Sequence, residues 1–132
     1  MRSIDAPRPR PAPQFFSALT LQGERVRHDF EGLTLLIAIK SNCEGCRDIV
    51  NSSLEEFADL HVLIVSATND DDDEWHDSAH PIVVAPELLG ELDIKWPPFY
   101  VVIDASTRRV VCEGVVFGPD QIREEIAAFI AP

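Results

Sequence analysis

The sequence predicts an α/β sandwich, a central mixed β-sheet flanked by helices and entered through an N-terminal β-hairpin. Three observations predict it. Short apolar runs of strand length alternate with segments of helical periodicity, which argues for a sheet with helices on its faces. Two late strands follow one another across a turn, which calls for an antiparallel pair within that sheet. The 132 residues, 45% of them apolar, suffice for one domain around a real hydrophobic core.

The chain opens on MRSIDAPRPRPAP, whose four prolines and three arginines read as an extended, solvated lead-in over residues 1–12, with the folded domain at 13–132. This stretch lacks an apolar signal core, so a cytoplasmic location is expected. Phe15–Phe30 contains two partly alternating stretches around Gln22-Gly23, a hairpin pattern. LTLLIAIK, from Leu33 to Lys40, is continuously apolar, as a strand buried on both faces would be. A helical pattern runs from Glu44 to Asp59, with Ile49, Val50, Leu54, Phe57 and Ala58 on one side. HVLIVSA, His61 to Ala67, is a second buried-type strand, followed by a polar loop from Asn69 to His80. Pro86–Leu92 suits a short helix with proline in its first turn. Phe99–Ile103 and Arg109–Val116 are strands joined by a turn. Gly118-Pro119-Asp120 then opens an amphipathic helix carrying Ile122, Ile126, Phe129 and Ile130.

Charge narrows the function classes. With 23 acidic against 11 basic side chains the net charge is −12, a field that repels phosphate backbones and anionic membrane surfaces. Neither nucleic acid nor a membrane is expected as a partner, and no apolar run approaches the roughly 20 residues that cross a bilayer. Three cysteines are too few for a disulfide scaffold, but two of them form Cys43-Glu44-Gly45-Cys46, a spacing that serves either redox chemistry or metal binding.

Position sharpens that motif. Cys43 falls three residues after a buried strand and at the first turn of a helix, where unpaired N–H groups favour an anion. A free thiol titrates near about 8.5, and CxxC thiols at helix starts fall to roughly 3.5–7.5. Cys43 is then a usable nucleophile at neutral pH, with Cys46 one turn further on.

The order of segments resembles the thioredoxin superfamily, and within it the TlpA/ResA-like branch. The resemblance spans about Pro13 to Ile130 and rests on three segments in sequence: PQFFSALTLQGERVRHDFEG, LTLLIAIKSNCEGC and IKWPPFYVVID. It implies a thioredoxin-like three-layer sandwich and thiol–disulfide exchange, with Cys43 as nucleophile, Cys46 as resolving thiol and Pro98 at the family's cis-proline. Asn42, Glu44, Gly45, Trp96, Pro97 and Pro98 are the candidate substrate-binding residues. The partners implied are a disulfide-containing protein and an upstream thiol reductant. No cofactor and no metal are implied. The chain departs from the family pattern at Asn42, usually aromatic, at Ile37, where thioredoxin proper has a buried acid, and at Pro97 and Phe99. The peroxiredoxins resemble it less, since their proline and threonine ahead of the reactive cysteine are Leu36 and Lys40 here.

Blander readings stand beside these. Cys43 and Cys46 could be half a zinc site completed by His76 and His80, although these lie far from finger-like spacing. A second rival is a binding or accessory module with this fold and no turnover, and a third is a metal carrier using the two thiols. Asp70–Glu74 lack the alternation and glycine of a calcium loop and read as a solvated turn. Cys112, among Val110, Val111 and Val115, reads as a buried structural thiol. Trp75 reads as loop packing or a partner contact, and His28 and His61 as edge or surface residues.

Overall fold

The computed structural model describes residues 10–68, 75 and 78–130, the last three by backbone only. Residues 1–9, Asp70–Glu74 and His76 lie outside the described residues, as do the side chains of Phe129 and Ile130. A seven-stranded sheet forms the centre. Its strands are β1 (Phe15–Thr20), β2 (Arg25–Asp29), β3 (Leu33–Ile39), β4 (His61–Ser66), β5 (Ile82–Val84), β6 (Phe99–Asp104) and β7 (Arg109–Val115). They lie in the order β2-β1-β5-β4-β3-β6-β7. The β3–β4 and β4–β5 pairs are parallel and the rest antiparallel, so the sheet is mixed as expected.

The continuous apolar run of β3 follows from its central place, with β4 on one side and β6 on the other. Alternate side chains leave opposite faces of a strand. Leu35, Ile37 and Ile39 accordingly enter one core layer, and Leu36 and Ala38 the other. The first layer is closed by α1 (Glu44–Val50) and α3 (Pro119–Ile130) through Ile49, Val50, Ile122 and Ile126. The second is closed by α2 (Pro86–Glu91) through Leu88 and Leu89, with Phe16 and Phe30 from the hairpin end. Trp75 is buried in the α1 layer, which makes it a packing residue.

Three expectations are corrected. The helix over Glu44–Asp59 ends at Val50, and only a single 3-10 turn, Glu55–Phe57, follows. Asn51-Ser52-Ser53 explains the break: such side chains compete for backbone groups, and the Ser52 hydroxyl donates to Asp48 O at 2.7 Å. Strand β5 adds to the expected order, because its three residues, Ile-Val-Val, are too short to show a period in the sequence. The last residues of the lead-in are docked rather than free. Pro11 bridges Arg109, Ala12 is buried, and the Arg10 guanidinium reaches Leu92 O at 2.8 Å and Glu113 at 2.7 Å. The boundary drawn at residue 13 therefore falls inside a contact.

Candidate active site

The β3 strand delivers the chain to the site, and a reversal at Asn42 aims it. Asn42 has φ +58°, in the left-handed region that asparagine tolerates better than bulky residues do. Cys43 follows in extended conformation as the N-cap of α1. Its sulfur accepts the Cys46 N–H at 3.2 Å, and its carbonyl accepts the Arg47 N–H at 3.0 Å. The sulfur thus does what a serine or aspartate oxygen does at other helix starts. Cys43 and Cys46 are joined in a disulfide with Cα atoms 5.2 Å apart. Cys43 is half-buried, whereas Cys46 is fully buried against the α1 layer, with the Lys40 N–H 3.4 Å from its sulfur.

Pro98 closes the site from the other side. The Pro97–Pro98 peptide bond is cis. The loop is tied to β7 where the Val116 N–H donates to Pro98 O at 3.1 Å. Gly45 is what lets it approach the dithiol, since a β-carbon there would stand only 3.2 Å from Pro98 Cγ. Asn42 and Glu44 are exposed, Pro97 and Pro98 half-buried, and Trp96 is 78% exposed.

Other candidates lie elsewhere. His80 Nε2 sits 3.0 Å from Ser52 O, beyond the C-terminal end of α1, while the cysteines begin that helix. Among the described residues no group of three or more His, Cys, Asp or Glu side chains is placed to share a metal ion. No described helix is long and apolar enough to cross a membrane. A hollow of about 730 Å³ lined by Leu54, Phe57, Val62 and Pro81 also lies away from the dithiol.

Sequence reasoning missed a polar cluster between β6, β7 and α3. The Tyr100 hydroxyl donates to Glu125 at 2.6 Å and lies 3.7 Å from Cys112 Sγ. Burial pushes the Tyr100 phenol far above its ordinary range and raises the Cys112 thiol as well. Also missed was Gln121. Its carbonyl accepts the Phe117 and Gly118 N–H groups at 2.8 and 3.3 Å, and its amide donates to Val115 O at 2.8 Å. A glutamine three residues into a helix pattern carries no signal that singles it out.

No protein-family model and no curated protein sequence matches the chain. Solved structures do. A thiol:disulfide interchange protein from Bacteroides sp. superposes with a TM-score of 0.68 at 16% identity, covering 96% of this chain and 91% of that one. The exposed lipoprotein thioredoxin Etrx1 of Streptococcus pneumoniae gives a TM-score of 0.65 at 21% identity, over 87% of this chain and 99% of that one. The thioredoxin domain of a thiol-disulfide oxidoreductase from Bacteroides vulgatus gives 0.62 at 16% identity, over 87% and 94%. The fold is thioredoxin-like, as the sequence resemblance implied.

Proposed function

We propose that the protein is a thiol–disulfide oxidoreductase that reduces or exchanges disulfides in partner proteins. The observation that carries this reading is the Cys43–Cys46 disulfide at the start of α1, with Cys43 half-buried, Cys46 fully buried and Gly45 between them packed close to Pro98. In the reduced protein the Cys43 thiolate attacks a substrate disulfide, forming a mixed disulfide and releasing one substrate sulfur as thiolate, which takes up a proton. The Cys46 thiolate then attacks Cys43 Sγ, forming the intramolecular disulfide and releasing the second substrate thiol. The Cys46 N–H beside Cys43 and the Lys40 N–H beside Cys46 each favour the anion at the moment it is needed. Two electrons pass to the substrate, and a thiol reductant of the cell restores the dithiol. We further propose a reducing compartment such as the cytoplasm. Exposed Glu44 between the cysteines supports this, because it disfavours the thiolate that strong oxidants stabilise.

Insulin reduction driven by dithiothreitol tests the reading. The intact chain should accelerate it, and Cys43→Ser should not. Equal rates for both proteins would leave only a binding module on this fold.

A further inference from the structure

The turn that carries Cys43 is fastened to the neighbouring strand by a run of hydroxyls. β3 pairs with β4 as far as Ile39 and Ser66, and the Ala67 N–H donates to Ile39 O at 2.8 Å. Ser66 is fully buried, and a buried hydroxyl needs partners. It finds them in the backbone of Thr68. The Ser66 hydroxyl donates to Thr68 O at 2.8 Å and accepts the Thr68 N–H at 3.2 Å. Thr68 is thereby fixed to the end of β4. Its own side chain reaches back to the end of β3, where Thr68 Oγ1 accepts the Ser41 N–H at 2.9 Å and lies 2.7 Å from Ser41 Oγ.

Ser41 lies where the chain leaves the sheet, since pairing of β3 with β6 stops at Ala38 and Phe99. The order of events along this turn is tight. The Lys40 N–H faces the buried Cys46 sulfur, and the next N–H, that of Ser41, is held by Thr68. Left-handed Asn42 then delivers Cys43 to its N-cap place, where its sulfur accepts the Cys46 N–H at 3.2 Å. A shift of Ser41 would carry Cys43 with it and draw the sulfur off that donor. We propose that Thr68 is a positioning residue for the dithiol: through Ser41, its hydroxyl holds the 41–43 turn so that the Cys43 sulfur faces the Cys46 N–H and is stabilised as the thiolate. The inference rests on the dithiol reading above and extends the machinery to the end of β4, outside the CxxC and Pro98 segments.

The test compares the full reduced chain with Thr68→Val, which keeps the shape and loses the oxygen, and Thr68→Ser, which keeps the oxygen. Thr68 is exposed, and neither change alters the charges of Lys40, Glu44 and Arg47 next to the cysteines in the chain. Alkylation of Cys43 by iodoacetamide is followed across a pH series by mass spectrometry. The pH midpoint of that alkylation should rise by about half a unit to one unit in Thr68→Val, because the thiolate loses its N–H donor. In Thr68→Ser it should stay within about 0.2 unit of the intact chain, since the serine hydroxyl offers the same acceptor. A role in stability alone would lower the urea midpoint of Thr68→Val and leave the alkylation midpoint where it was. That result, or an equal shift in both variants, overturns the inference and leaves the dithiol reading standing if insulin is still reduced. Alkylation requires no oxidoreductase activity, which keeps the two ideas apart. An intact chain that fails to accelerate insulin reduction, while its alkylation follows the Thr68 hydroxyl, keeps the positioning and loses the dithiol reading. Failure on both counts removes both.

Discussion

Asn42 shows how a single residue is chosen by backbone rather than by chemistry. The sequence marks it only as a departure from an aromatic position, but φ +58° immediately before the N-cap cysteine explains it. Asn42→Gly should leave stability within about 0.5 kcal/mol of the parent, whereas Asn42→Val should lose roughly 1–2 kcal/mol in urea denaturation of the oxidised protein. Equal losses would show that the turn does not depend on the left-handed residue. Cys112 and Tyr100 give a second prediction at this scale. Both are acids whose folded pKa lies above the unfolded one, because burial opposes the charged form. At high pH the unfolded chain binds fewer protons than the folded one, so stability is whole below the unfolded pKa values and falls as pH rises past them. Denaturation midpoints should be flat in respect of these groups up to about pH 8 and decline above about pH 9. Cys112→Val should delay the onset towards the range where tyrosine titrates.

At the scale of elements, legibility followed periodicity. β3 and β4 were readable because strands buried on both faces are continuously apolar, and the late antiparallel pair because only a turn separates its strands. The end of α1 and the existence of β5 were not. A helical period continued through Leu54, Phe57 and Ala58 although Asn51-Ser52-Ser53 had already ended the helix, and β5 is defined by its partners β4 and β1 rather than by its own pattern. The junction of β6, β7 and α3 depends on Gly114, which faces Tyr100 across the pair. A β-carbon on Gly114 would meet Glu125 Oε1 at 2.7 Å and Tyr100 Cε2 at 2.9 Å. Gly114→Ala should therefore cost about 1–3 kcal/mol by forcing α3 off the sheet or breaking the Tyr100–Glu125 bond. An unchanged thermal midpoint would mean that the cluster yields freely.

For the whole molecule the prediction concerns redox poise. A strong oxidant of this chemistry owes its potential to a stabilised thiolate, which favours the reduced form. Here Glu44 lies between the cysteines and the chain carries −12, both opposing an added anion, although salt screens the more distant charges. The Cys46 N–H at Cys43 pulls the other way and keeps the thiol reactive. Equilibration with glutathione buffers should place the potential at about −270 mV, far from the roughly −120 mV of a strong oxidant. A protein still largely dithiol in strongly oxidising mixtures would refute this electrostatic account.

What the sequence determined by itself was the layered fold, the place of CEGC between a buried strand and a helix, and the field set by its charge. These are local or additive properties, written in period, spacing and composition. Only the tertiary structure decided that Gly45 must be small to admit Pro98, that Arg10 ties the lead-in to Glu113, and that Tyr100, Cys112 and Glu125 meet. Each of these contacts joins residues from different elements, and their proximity is fixed by sheet order and register, which no local pattern in the chain encodes.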